Sequence, residues 1–250
     1  MTDNDELPSE RKQCAAALAH WLTEARELRL AAHADPIRAP RRKRLRVFQA
    51  ARLAATHADL RASARYEHAA NFFLTDLYSP KDLCARDAEI ERVLPAMTNL
   101  LPLKGLRALL LAGEADALSE RFDLAMVDAM GDRLDGSFTE GNYTDAYRQV
   151  GDREGRERQI ELIRATGETL DGLAHKPALR TLLRSMRRPA QLAGLGELQG
   201  FLERGLNAFR SMRSAEEFLD IVVGREAELA DSLFRGARRV TIGEAARRSA

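Results

Sequence analysis

Cysteine and long apolar runs are the features that this sequence most clearly lacks. Its 250 residues include only two cysteines, Cys14 and Cys84, and no CxxC pair or His/Cys cluster. A disulfide framework and a cysteine-based zinc site are therefore not expected. No apolar run approaches the ~20 residues that span a bilayer, and the start MTDNDELPSE lacks the apolar region of a secretory signal. We expect a cytoplasmic protein that does not bind membranes.

Residues that favour β-sheets are also scarce. Aromatic residues make up 6% of the chain, and valine, isoleucine and threonine are sparse. Leucine, alanine, arginine and glutamate dominate instead, and all four favour helices. Hydrophobic residues make up 45% and charged residues 31% of the chain, as in an ordinary soluble globular protein. The formal net charge of +1 excludes nucleic-acid binding driven by the charge of the whole molecule.

These patterns predict an all-α, single-domain bundle of about eight helices over residues 1–236, with a loosely held basic tail over 237–250. The segment GDRLDGSFTEGNYTD predicts a loop between possible halves 1–135 and 142–236. A second break is predicted at Gly113. The helices themselves are expected near 9–30, 41–66 and 67–77, from 79 through the apolar stripe that ends at Met97, in a short segment before Gly113, and near 116–130, 153–173, 177–188, 197–212 and 215–234.

The two halves contain a possible internal repeat. The segment that starts ATHADLRASARY aligns with the one that starts ATGETLDGLAHK, and one gap brings Pro80 onto Pro189. A true duplication would give a pseudo-twofold helical bundle. Gapped matches arise easily in a chain rich in alanine, leucine and arginine, so chance similarity is the alternative.

The stretch FFLTDLYSPKDLCARDAEIERVLP, residues 72–95, contains the most unusual residues. SPKD predicts a helix start, with serine as the N-cap and proline in the first turn. Asp87 then falls within an apolar stripe formed by Leu83, Ile90, Leu94 and Met97. A buried carboxylate requires a partner. That partner is either an arginine of another helix, such as Arg46 or Arg52, or a ligand or metal.

Four polar residues border the predicted core on consecutive helices: His57, Asp76, Tyr78 and Asp87. If they converge, they form either a buried hydrogen-bond network or a ligand set for a divalent metal. The Glu-x-x-His pairs of di-iron bundles are missing, and haem lacks a clearly placed axial ligand. The sequence identifies no cofactor. It also lacks a phosphate-binding glycine loop, a nucleophile elbow and an HExxH motif, so no catalytic residue is predicted.

Two basic segments are candidate anion or nucleic-acid sites. One is RAPRRKRLR, with Arg41, Arg42, Lys43 and Arg44 around a helix start, and the other is a helical stripe formed by Arg180, Arg184, Arg187 and Arg188. Aromatic residues for base stacking do not alternate with these charges. Acidic residues between positions 114 and 135 are alternative partners for the helical stripe, and we favour solvated, internally balanced faces over anion binding.

Together with GDREGRERQIELI, the stretch at 72–95 resembles a set of uncharacterised proteobacterial proteins that share an FFLxDLYxPxD-like segment. The resemblance implies an all-helical chain of similar length and no activity. Three functions remain open: a non-catalytic binding or regulatory protein that contacts another protein or itself, a metal or haem protein, and an anion or nucleic-acid binder. The first is favoured because it does not depend on a catalytic, metal-binding or nucleic-acid-binding motif.

Overall fold

The computed structural model describes residues 3–77, 89, 90, 92–94, 101–136 and 138–237. This part of the chain consists of helices joined by short turns and contains no strand. The α-helices are α1 (Asp3–Ala34), α2 (Arg38–Thr56), α3 (Ala58–Ala62), α4 (Glu67–Phe72), α5 (Leu103–Met130), α6 (Glu140–Val150), α7 (Arg153–Ala174), α8 (Pro177–Leu192), α9 (Gly196–Ser211) and α10 (Glu216–Phe234). The predicted all-α, single-domain bundle is confirmed. The predicted tail over 237–250 lies outside the described residues, apart from Ala237.

Helix α5 occupies the centre of the bundle and packs against α1, α2, α6 and α7. The predicted break at Gly113 is wrong, because α5 continues through this residue. A Cβ atom at this position would lie 3.2 Å from a methyl group of Leu18 on α1. Glycine therefore allows two long helices to approach closely, and the intrahelical hydrogen bonds on both sides compensate for its low helix propensity.

Helix α6 begins within the segment that was predicted to be a loop and extends beyond it to Val150. Its N-cap is Thr139, whose side chain accepts a hydrogen bond from the backbone of Asn142, and the Asn142 side chain accepts one in return. Tyr143, Ala146 and Tyr147 bury one face of the helix. The prediction failed because polar turn-forming residues at the start of α6 hide its short apolar stripe.

The long helix predicted over residues 41–66 is divided in the structure. Helix α2 ends at Thr56, the short α3 follows, and a turn over residues 63–66 leads to α4. Helix α4 continues into a π-helical turn, Phe73–Leu77, at the start of the unusual stretch. Single π-helical turns occur often near functional sites. This one directs Asp76 towards α9, as described below.

Helices α7 and α10 pack closely against each other. A Cβ atom at Gly167 would lie 2.5 Å from a methyl group of Leu219. Leu219, Phe218 and Val222 belong to a core cluster that also includes Phe209 and Met212. None of the described helices has the length and apolarity needed to cross a membrane.

Candidate functional site

A cavity of about 290 Å³, partly open to solvent, lies between the helices of the bundle. Side chains of α2, α5, α6, α7, α9 and α10 contribute to its wall. One face of α7 follows it, with residues at helical spacing: Arg156, Gln159, Ile160, Ile163, Thr166, Gly167 and Leu170. The cavity is therefore formed by the packing of the helices, and the residues that line it change in polarity along α7.

The C-terminal half of α7 faces mainly apolar groups. Leucine and phenylalanine side chains of α5, α9 and α10 line this part of the wall, including Leu109, Phe201, Phe209 and Phe218. The N-terminal half faces charged and polar groups, including Arg46, Gln49, Arg52, Ser119, Glu120, Asp123 and Glu226. An apolar body and a polar end are the usual pattern of a small-molecule site.

Glu120 is the central residue of the polar end and is 2% exposed. Its carboxylate accepts hydrogen bonds from three arginines, Arg29 at 2.8 Å, Arg46 at 3.3 Å and Arg42. Arg29 also donates to Asp116 at 2.5 Å. These arginines come from α1 and α2, so the charge cluster joins both helices to α5. Burial of so many charges is tolerated only because they are paired.

Asp123 lies one turn further along α5. Burial raises the pKa of its carboxyl group, and the nearby charge of Glu120 acts in the same direction. Arg46 opposes this rise, with its Nε 3.9 Å from a carboxylate oxygen of Asp123. A carboxyl group with a raised pKa in a cavity wall is a feature of many functional sites.

A second buried ion pair joins α2 to α10. Both carboxylate oxygens of Glu226 lie 2.6 Å from Nη1 of Arg52, and His57 Nε2 lies 3.2 Å from one of them. Burial alone would raise the pKa of Glu226. The charge of Arg52 and the hydrogen bonds from His57 and Arg52 outweigh burial and lower that pKa to about 2.

Arg156 differs from the other cavity arginines because its guanidinium lies between two aromatic rings. Its Cζ is 3.8 Å from the ring centroid of Phe122 and 4.6 Å from that of Tyr147. One terminal nitrogen, Nη1, reaches the Gln159 side chain at 3.4 Å. The other, Nη2, is buried and has no hydrogen-bond partner. Two rings thus hold a cation at the cavity wall with a donor unused.

Of the four predicted polar residues, the structure describes His57 and Asp76, which have different partners. His57 is buried and contacts Glu226. Asp76 accepts two hydrogen bonds from Arg204 of α9, at 2.6 and 2.9 Å. Tyr78 and Asp87 lie outside the described residues. Arg46 and Arg52, considered as partners for Asp87, are paired with acidic residues of α5 and α10.

The basic segment around the start of α2 pairs largely with acidic residues of α5 and the turn after it. Arg41 donates to Asp135 at 2.7 Å and also contacts Asp132, whereas Arg42 reaches Glu120. Arg44 donates to the backbone carbonyl of Leu134 at 2.6 Å, and Lys43 is exposed. Three of the four predicted basic residues of this segment therefore have partners within the chain.

The second basic segment lies on α8. Arg187 donates to Glu203 of α9 at 2.6 and 3.0 Å. Arg184 and Arg188 are exposed, and Arg180 is half-buried. The arginine stripe thus lies mainly at the surface, away from the polar end of the cavity.

Sequence reasoning missed Glu120, Asp123, Glu226 and Arg156 as site residues. A usable signal was present for two of them. Glu120 interrupts the small-residue stripe that contains Gly113 and Ala117, and Glu226 follows Val222 and precedes Leu229 on the buried face of α10. The reasoning that selected Asp87, an acid within an apolar stripe, applies equally to both.

Within the described ranges, no group of three or more histidine, cysteine, aspartate or glutamate side chains is arranged to hold a metal ion. The carboxylates of the cavity are instead bound by arginines. The polar end can therefore orient a polar or charged group of a ligand through guanidinium and amide donors.

The fold and this site define an all-helical protein built around an internal cavity, with an apolar body and an arginine-rich polar end. The chain belongs to a family described as a domain of unknown function (DUF8198), whose sequence model matches residues 28–240. The match includes every charged residue of the site from Arg29 to Glu226. No curated protein and no solved structure matches the chain.

Proposed function

We propose that this protein is a non-catalytic binding protein that holds a small, elongated and mainly apolar molecule in its internal cavity. The observation that carries the proposal is the cavity of about 290 Å³ between the helices, whose wall is mainly apolar. Small-molecule sites start at roughly 300 Å³ and combine apolar walls with a few polar groups.

The shape of the cavity supports an elongated ligand. Its wall follows α7 from Arg156 to Leu170, which corresponds to about 21 Å at the rise of an α-helix. A compact ligand would leave much of this length unfilled. A molecule with a linear apolar chain would contact the leucine and phenylalanine side chains along it and would bury its apolar surface.

Isothermal titration calorimetry with dodecan-1-ol tests the proposal, using protein without a histidine tag. We expect binding of one molecule with a negative heat-capacity change, the signature of apolar burial. Ile163→Phe enlarges a side chain of the cavity wall, and Ile37→Phe makes the same change at a residue that is 59% exposed. The first variant should weaken binding roughly tenfold or more because it occupies ligand space.

The control variant should bind as the wild type does. Native mass spectrometry of freshly purified protein provides an independent measurement, since a co-purified ligand appears as an added mass that denaturation removes. Absence of dodecan-1-ol binding, together with no added mass, would contradict the proposal. Equal weakening by both isoleucine variants would show that the alcohol binds elsewhere.

We propose self-association as a second function, because α8 leaves apolar side chains in solvent. Leu182 is 52% exposed and Met186, one turn later, is 44% exposed. Adjacent exposed apolar side chains of this kind are commonly covered in an oligomer. Sedimentation velocity over a range of concentrations should show a dimer that the Leu182→Gln/Met186→Gln variant loses. A wild-type monomer at all concentrations would contradict this second proposal.

We further propose that the protein acts in the reducing cytoplasm of proteobacterial cells. Cys14 is buried and free, and two cysteines provide no disulfide framework. Fractionation of a proteobacterial host that carries the gene should place the protein with cytoplasmic markers. Recovery with periplasmic markers would refute this location.

A further inference from the structure

The cavity ends inside the core at the C-terminal end of α7. Leu170 is the last residue of this helix that lines the cavity. Ala174 follows one turn later on the same face. It is buried and belongs to the core cluster that contains Phe209 and Phe218. The space beside α7 is therefore filled beyond Leu170, and a ligand that lies along this helix cannot extend past it.

Two phenylalanines form the end wall of the cavity at this point. Phe209 of α9 and Phe218 of α10 are buried and line the cavity. Met212 and Ala215 lie between these two helices in the chain, belong to the same core cluster and are 0% exposed. Close packing behind the two rings leaves them no room to move away from a ligand. The end wall therefore has a fixed position.

The opposite end of the cavity is polar, which sets the direction in which a ligand lies. Gln49, Ser119 and Gln159 line this end together with the charged residues. A polar group placed among the phenylalanines would lose its hydrogen bonds, whereas the polar end supplies donors and acceptors. The apolar chain of a ligand therefore points towards Leu170, and its length decides whether it reaches the end wall.

We infer that this cavity selects its ligand by chain length: it binds a linear apolar chain that ends at Phe209 and Phe218 and does not accommodate a longer one. The inference rests on the proposed function and adds the class of ligand, a molecule with one polar end and one unbranched chain of limited length. Each added methylene buries more apolar surface and strengthens binding roughly fourfold until the chain meets the end wall. A longer chain must displace packed aromatic side chains or move its polar group away from the polar end, so the gain stops.

Calorimetric titration with octan-1-ol, decan-1-ol, dodecan-1-ol and tetradecan-1-ol tests the inference, with each alcohol below its solubility limit. For wild-type protein, affinity should rise from octan-1-ol to dodecan-1-ol and should not rise further with tetradecan-1-ol. Leu170→Phe enlarges a side chain next to the end wall. It should weaken binding of dodecan-1-ol roughly tenfold or more and change that of octan-1-ol by less than about threefold. Ile163→Phe, in the middle of the cavity, should weaken both.

Phe209→Leu makes the opposite change, because it removes part of the end wall. This variant should bind tetradecan-1-ol about fourfold or more tightly than dodecan-1-ol, and it tests the same wall if Leu170→Phe does not fold. Phe138→Leu is the matched control, since Phe138 packs against Phe48 and does not line the cavity. It should retain the wild-type order of affinities.

Three results would overturn the chain-length inference and leave the cavity function intact. One is a wild-type affinity that still rises with tetradecan-1-ol. Another is an equal effect of Leu170→Phe on octan-1-ol and dodecan-1-ol, and the third is a wild-type order of affinities in Phe209→Leu. Failure of all of the alcohols to bind would instead refute the proposed function itself.

Discussion

Replacing Glu120 by glutamine removes the negative charge that three buried arginines share, while keeping the volume of the side chain and one acceptor oxygen. The side chains of Arg29, Arg42 and Arg46 are 6%, 17% and 13% exposed, so water cannot replace the lost charge fully. Arg29 retains Asp116, and Arg46 retains a longer contact with Asp123. Arg42 is left without an ion-pair partner among the described residues.

Removal of one partner from a buried ion pair costs about 3–5 kcal/mol. For a chain of this size, that corresponds to a fall in the melting temperature of about 6–20 °C. Urea denaturation followed by far-UV circular dichroism measures the free energy of unfolding of Glu120→Gln. The same measurement on Glu120→Gln/Arg42→Met should show partial recovery, because the second change removes the charge left unpaired.

Glu114→Gln is the matched control on the same helix. Glu114 pairs with Arg158, whose side chain is 45% exposed, and exposed pairs contribute about 0–1 kcal/mol. A cost for Glu120→Gln no larger than that for Glu114→Gln would refute the reasoning. It would mean that the Glu120 carboxylate is hydrated and that the arginines do not depend on it.

Three further predictions concern the same core. Glu226→Gln should flatten the acid limb of the stability curve: the folded pKa of about 2, against an ordinary value of 4.5, gives stability that is present above pH 4.5 and lost as the pH falls towards 2. The loss is about 3 kcal/mol in the wild type. It is measured as the urea midpoint at a series of pH values, and the exposed control Glu228→Gln should show the same pH dependence as the wild type. Asp123→Asn should be neutral or stabilising at pH 7, because the raised pKa of Asp123 in the folded state favours its neutral form. As the pH falls, the stability of the wild type should rise relative to that of this variant. A large loss of stability in the variant at pH 7 would contradict burial as the dominant cause of the raised pKa. Gly167→Ala should cost about 1–3 kcal/mol by overpacking against α10. Gly172→Ala on the same helix, where a Cβ meets nothing within 4 Å, should instead stabilise the protein by up to ~1 kcal/mol. Melting temperatures that change in the same direction in both variants would contradict the close contact.

The polar end of the cavity could be predicted only in part. The search for an acid within an apolar helical stripe selected only Asp87, which lies outside the described residues; the same search on α5 and α10 would also have selected Glu120 and Glu226. Each of these stripes is local, so it can be read from spacing along one helix. The partner of each acid is not local: Arg29 and Glu120 are 91 positions apart, and Arg52 and Glu226 are 174 positions apart. Spacing along a single helix contains no information about such pairs.

Helix boundaries also depend partly on local sequence and partly on contacts with distant helices. The loop prediction around residue 140 failed because the capping residues of α6 are also turn residues, and Tyr143 and Tyr147 become recognisable as core only when α10 and α7 pack against them. Gly113 was read as a break because glycine weakens an isolated helix. Its role depends on Leu18, which approaches from another helix.

The sequence by itself determined that this protein is helical. This property follows from residue composition and from periodicities of a few residues. Tertiary structure alone decided which charges meet, that a cavity remains between α5, α7 and α10, and that Arg156 faces it between two rings. The physical reason is that burial and ion pairing are properties of distance in space, and helices distant in the sequence set those distances when they pack.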